Sequence, residues 1–271
     1  TVNPAIGFPA ATGPEGSADP VAHVLPAWDC ICGQMAALGL LAAERRRRAT
    51  GKGGQVEIAL KDVAAAMLGN LGILGEVMVN GEDRPKYGNA LYGAYGQDFL
   101  CADGQRVMVI GLTDRQWRNI LKLTETEAEM AALAERLNLD FREEGNRFIA
   151  RKEITAILAP WFAARRVPDF AESFDKGGVT WSVFRSFGQA VAEDPDLSTA
   201  NPIFSMVDQP GLGSFLSPAS PMAFTDAERQ PAHPAPSLGQ HTEEILGDVM
   251  RLPEGEIASL FDAGVVAGPE G

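Results

Sequence analysis

The stretch from Ala27 to Leu60, AWDCICGQMAALGLLAAERRRRATGKGGQVEIAL, decides how the chain is read. Met35, Leu38, Leu41 and Ala42 recur at helical spacing and predict a helix over 28–48. Gly33, Ala36, Ala37 and Gly39 are small enough to let a neighbouring element approach it closely. Thr50–Gly54, TGKGG, reads as a turn. In QVEIAL, Val56, Ile58 and Leu60 alternate with Gln55, Glu57 and Ala59, which predicts a strand. Lys61–Gly81 is a second helical stretch, interrupted by glycines. Helix, strand and helix joined by tight turns point to an α/β layer arrangement.

Asp29 is the one acid at the head of this apolar run. Aspartate is a favoured helix N-cap. At a helix N-terminus the dipole also keeps a carboxylate ionised, which suits a nucleophile or base. Spacing leaves both readings open. The arginines Arg45–Arg48 close the run, either as cations suited to a last helical turn or as ligands for phosphate.

Downstream, Glu82–Gly96 is rich in Gly and Asn and holds Tyr87, Tyr92 and Tyr95, the chain's three tyrosines. QDFLC, the turn ADGQ and RVMVIGL then read as a hairpin. Asp114–Leu137 and Arg147–Arg166 are helical patterns, Val179–Phe187 is strand-like, and two helices with acidic first turns close the chain. This divides the chain into 1–87, part of a larger α/β domain that includes Asp29; 88–204, a small inserted α+β domain; and 205–271, a return to the larger one. The opening Thr1–Pro20, full of Gly and Pro, reads as loop.

The chain has 271 residues, 45% hydrophobic and 22% charged, with a net charge of −13. The acidity argues against a nucleic-acid partner. No apolar run reaches the ~20 residues of a membrane helix. Cys30, Cys32 and Cys101 are too few and too oddly spaced for a disulfide framework, and point to reduced thiols in the cytoplasm. With His23, His233 and His241 scattered, no metal site is expected.

Asp29 followed by a small-residue helix, an Arg-rich end, Thr50-Gly51-Lys52-Gly53, Gln55-Val56 and Leu60-Lys61-Asp62 resembles the signature of class III CoA-transferases, the formyl-CoA and carnitine CoA-transferase family. PAPSLGQHTEEIL (Pro234–Leu246) resembles the family's closing motif, and ADGQRVMV its small-domain hairpin. The segments TVNPAIGFP, HVLPAWD, LYGAYGQDF and NPIFSMVDQPGLGS are similar to the branch that moves CoA between the C1 and C4 carboxylates of one mesaconate molecule in carbon-fixing 3-hydroxypropionate metabolism.

The resemblance implies a partial Rossmann-like large domain with a small inserted domain, and homodimers interlocked like links. It implies Asp29 as the nucleophile, passing through an aspartyl anhydride and an aspartyl-CoA thioester. The acyl-CoA thioester of a small dicarboxylic acid is then the substrate, with coenzyme A part of it and no further cofactor. Tyr92, Gly93, Tyr95 and Gly96, in the segment matching the family's glycine-rich loop, and His23 become substrate-binding candidates. Arg84, Lys86 and Arg185 are candidates for holding a second carboxylate, and Asp114 for supporting the site from behind. The family carries a long Rossmann-like portion ahead of the Asp29 region, so the chain is expected to lack it. Intermolecular CoA transfer, α-methylacyl-CoA racemisation and an inactive truncated homologue are the competing readings.

Overall fold

The structure is a computed structural model and describes residues 2–269. The chain divides into two units, 1–184 and 185–271.

The first unit opens with two single-turn helices, α1 (Val2–Ala5) and α2 (Phe8–Ala11), where loop was expected. Pro9 lies in the first turn of α2, where its missing N–H costs nothing. Helix α3 (Ala27–Thr50) is the predicted helix and ends at Gly51, whose φ of 70° lets its N–H reach the Arg47 carbonyl at 2.8 Å. Arg47 and Arg48 both pair with Glu44, at 2.6 and 2.8 Å, so these two arginines serve the helix end. The glycine-interrupted stretch forms two helices, α4 (Leu60–Asn70) and α5 (Ile73–Asn80), with Gly72 at φ 75° between them and a bend of 62°. No single helix among the described residues is long and apolar enough to cross a membrane.

The expected strand at 55–60 is extended chain without a ladder. It lies over α3 at Gly39, where an added Cβ would stand 3.3 Å from Val56 Cγ1 and 3.5 Å from Ile58 Cδ1. Its alternation is therefore real, but no strand among the described residues pairs with it.

The hairpin forms as read: β1 (Tyr95–Leu100) pairs antiparallel with β2 (Arg106–Gly111), and β3 (Thr180–Val183) adds to β2. Val107, Val109, Tyr95 and Phe99 face a core closed by α6 (Asp114–Thr124), α7 (Glu127–Leu137), α8 (Glu144–Ile149), α9 (Arg151–Ala163) and α10 (Val167–Lys176). Trp117, Ile120, Ile154, Leu158, Phe162, Phe170 and Phe174 fill it. A Thr113–Gln116 capping box starts α6. Inside the core, Arg147 is fully buried and donates to three main-chain carbonyls, of Phe141 (2.6 Å), Leu112 (2.7 Å) and Arg142 (3.0 Å). In contrast, α3 and α5 expose Leu38, Leu40, Leu41, Met78 and Val79, each more than 60% accessible.

In the second unit, α11 (Phe187–Glu193) precedes the hairpin β4 (Phe204–Gln209) and β5 (Gly213–Pro218). The closing motif folds as a single helical turn, α12 (Thr242–Glu244), running into a wide turn at Ile245–Val249 and then α13 (Glu254–Asp262). Gly239, at φ 76°, passes so close to the Gly268 carbonyl that a Cβ would stand 2.5 Å from its oxygen.

Candidate active site

Helix α3 begins at Ala27, so Asp29 is its third residue, and Pro26 holds the capping position with no side-chain cap. The cap reading of Asp29 is thereby corrected: its carboxylate lies in the first turn, exposed, where the dipole still favours a negative charge. Trp28 fixes this helix start. It is buried, touches the Phe8 ring at 5.3 Å between centroids, and donates from Nε1 to Asn3 Oδ1 at 3.2 Å. With Trp28 turned inward, Asp29 turns outward onto an open cleft of about 470 Å³, lined also by Asn3, His23, Leu25 and Leu60. His23 and Asp29 thus share one depression, although no hydrogen bond joins them among the described residues.

The glycine-rich segment 87–96 lines no part of that cleft. Tyr92 is half exposed, with Arg84 stacked 3.7 Å over its ring and its hydroxyl donating to Glu76 Oε1 at 3.2 Å. Arg84 closes the triad by pairing with Glu76, and its hydrogen bond holds the Glu76 carboxyl below its ordinary range. Burial, then the Glu76 hydrogen bond, pushes the Tyr92 phenol up. Gly93 has φ 80° and open space around the position of a Cβ.

Tyr95, a substrate-binding candidate, belongs to the core. It pairs with Gly111 in the sheet, is wholly buried against Trp117, and meets Thr155 Oγ1 at 3.0 Å through its hydroxyl. Gly96 is needed for packing: a Cβ there would stand 2.6 Å from Leu91 Cβ, and the Gly96 carbonyl accepts the Leu91 N–H at 2.9 Å. Gly96→Ala is accordingly expected to destabilise the protein by about 1–3 kcal/mol, the usual cost of overpacking. Urea unfolding checks this, and an unchanged midpoint would show that Leu91 simply moves aside.

The cations expected to meet a second carboxylate are all engaged. Arg84 serves Glu76, and Lys86 is buried with its ammonium on the Asp19 carbonyl. Arg185 pairs with Asp194 at 3.0 Å and Glu193 at 3.5 Å. Asp114 starts α6 and pairs with Arg118 at 3.0 Å, so it is a helix-start residue and not a support for Asp29. The cysteines are free thiols; burial, followed by the nearby Asp103, pushes buried Cys101 up to about 11, which makes it a poor nucleophile.

Sequence reading missed a larger cleft, of about 900 Å³, between the 12–15 segment, the 87–90 loop and the start of α9. Arg151 and Lys152 line it. They lie within a helical pattern and had no motif to mark them. The available signal was no more than an adjacent pair of cations.

Comparison with known proteins places these features in a family. The model for CoA-transferase family III matches residues 1–242. The chain is 55% identical over 270 residues to 2-methylfumaryl-CoA isomerase of Chloroflexus aurantiacus, covering 100% of this chain and 66% of that protein. It is 26% identical over 257 residues to human succinyl-CoA:glutarate CoA-transferase, covering 94% of this chain and 56% of that one. Among solved structures, a CaiB/BaiF family protein from Brucella suis superposes with a TM-score of 0.66 at 22% identity, over 92% of this chain and 61% of that one. The chain therefore spans less than two thirds of the length of these relatives.

Proposed function

The chain belongs to CoA-transferase family III, and from that premise we propose that it moves CoA between the C1 and C4 carboxylates of mesaconate, converting 2-methylfumaryl-CoA to 3-methylfumaryl-CoA. The observation that carries this is the 55% identity, along the whole chain, to an isomerase of that name.

In this reading an Asp29 oxygen attacks the thioester carbonyl. The C–S bond breaks, and CoA leaves as thiolate with the electron pair, giving a mixed anhydride on Asp29. The thiolate then attacks the aspartyl carbonyl, expels mesaconate as a carboxylate and leaves an aspartyl-CoA thioester. Mesaconate presents its other carboxylate, and the two steps run backwards, restoring Asp29. Each step is a substitution at an acyl carbon, so electrons balance without a metal or redox cofactor. Covalent catalysis divides one hard transfer into easier ones. Retaining the freed acid keeps the return step intramolecular. The exposed carboxylate at the start of α3 supports the assignment of Asp29, and the cleft His23 shares with it supports His23 as a substrate contact. Gly93, with open space around it, and Tyr92 are the loop residues left for substrate contact; core-bound Tyr95 and Gly96 act by holding that loop's base.

We read the working form as a homodimer in the cytoplasm. The bare apolar flanks of α3 and α5 support assembly, and three free thiols suit a reducing compartment.

The test is incubation with 2-methylfumaryl-CoA and isotope-labelled free mesaconate, followed by mass-resolved chromatography. Unlabelled 3-methylfumaryl-CoA is expected. Label in the thioester would replace this reading with intermolecular transfer, and absence of product would overturn it for this chain.

A further inference from the structure

The first two residues of α9, Arg151 and Lys152, face the cleft of about 900 Å³. Arg151 is held rigidly. Its guanidinium stacks 4.5 Å over the Phe148 ring and 5.0 Å over the Tyr87 ring, and donates to the Phe148 carbonyl at 3.0 Å. Only 17% of its side chain is accessible. Arg106, in the same cleft, is already matched by Asp98. Arg151 and Lys152 share a single carboxylate, that of Glu15, which offers one oxygen to both: 2.8 Å from Lys152 Nζ and 3.7 Å from Arg151 Nη2. The cleft thus keeps an uncompensated positive charge in a chain of net charge −13.

Two further facts make this arrangement more than a surface ion pair. Arg151 sits at the junction of α8 and α9, where its bond to the Phe148 carbonyl closes the last turn of α8 and fixes the guanidinium at the cleft wall. Glu15 arrives on a short segment bounded by Gly13 at φ 114° and Gly16 at φ 79°, backbone geometry that side-chain-bearing residues rarely adopt. That segment is tied to the facing loop, since the Gly88 N–H donates to the Gly13 carbonyl at 3.1 Å. Asn89, Gln97 and Thr155 add neutral hydrogen-bonding groups to the wall. The hydrogen bond from Lys152 holds the Glu15 carboxyl below its ordinary value, so an anion occupies the site.

We propose that Arg151 and Lys152 form an oxyanion-binding site for a carboxylate or phosphate group, in which Glu15 is a resident stand-in that ligand displaces. A planar guanidinium packed against two rings beside a flexible ammonium suits a multidentate oxyanion better than it suits the one oxygen Glu15 supplies. The existence of the site is independent of the transfer chemistry. Its ligand assignment rests on the proposed function, in which the far carboxylate of the dicarboxylic acid and the phosphates of CoA are the two oxyanions at hand.

Calorimetric titration of the full chain with mesaconate, CoA and inorganic phosphate, taken separately, tests this. Glu15→Gln, which removes the competing charge and keeps the shape, is expected to tighten binding roughly threefold to fivefold, and Lys152→Ala to weaken it by a similar factor. The Lys152 side chain is two-thirds accessible, so its truncation leaves the fold intact. Binding of mesaconate that inorganic phosphate does not displace identifies a carboxylate site. Binding of CoA that inorganic phosphate does displace identifies a phosphate site. Unchanged or weaker binding in Glu15→Gln, binding indifferent to Lys152→Ala, or no binding of any of the three overturns the proposal. Ligand binding with these responses alongside a failed labelled-mesaconate experiment would sink the transfer reading and leave the site standing.

Discussion

Asp29→Ala abolishes CoA transfer and leaves the protein folded: that is the expected result, with a loss of roughly a thousandfold or more, the scale on which removal of a nucleophile acts. Asp29 is exposed, makes no cap hydrogen bond, and contributes to the fold only by its charge in the first turn of α3. Losing that charge costs about 0.3–1 kcal/mol. Activity and stability should therefore separate cleanly. Asp29→Asn keeps the shape and removes the anionic oxygen, and should be as inactive as the alanine variant. Intact-mass measurement of wild type incubated with acyl-CoA should show an adduct on the peptide containing Asp29, absent from both variants. Transfer by Asp29→Ala at a rate within a few-fold of wild type would remove this residue from the chemistry.

Arg147→Ala should have the largest effect on stability, a loss of about 3–5 kcal/mol, with no part in the site. The buried Phe141 carbonyl and the partly buried Leu112 and Arg142 carbonyls take their hydrogen bonds from this guanidinium; deleting it leaves a cavity and strands the buried one at about 1–3 kcal/mol. Its Nε has no partner among the described residues, and burial lowers its pKa, so the residue is tolerated for the carbonyls it satisfies. Arg147→Lys should recover only part of the loss, because one ammonium cannot span the fork. Urea denaturation followed by circular dichroism reads both. A cost below about 1 kcal/mol for the alanine variant would mean that water replaces the guanidinium.

Where local chemistry decides structure, the sequence was a good guide. The helix over 28–48 and its end at Gly51, the β1–β2 hairpin around Ala102–Gln105, and the break near Gly72 follow from periodicity and glycine placement. The extended run at 55–59 was legible as alternation, but alternation names a face and not a partner. Tyr95 was placed in the loop because its glycine neighbours look like loop. The sheet begins two residues earlier than the apolar run suggested, and the phenol then has nowhere to go but inward. Arg151 and Lys152 were invisible for another reason: their meaning comes from Glu15, 136 and 137 residues away, and no local pattern encodes such a meeting.

Every member of the packed core comes from one uninterrupted stretch, Tyr95 to Val183. Closing that core brings β3 back to pair with β2, Val107 opposite Val183, and stacks Phe162 on Phe99, all within this one stretch. The stretch therefore carries its own core with no residue from either flank. The helix that carries Asp29 adds no residue to that core and buries only Trp28, so damage to one need not spread to the other.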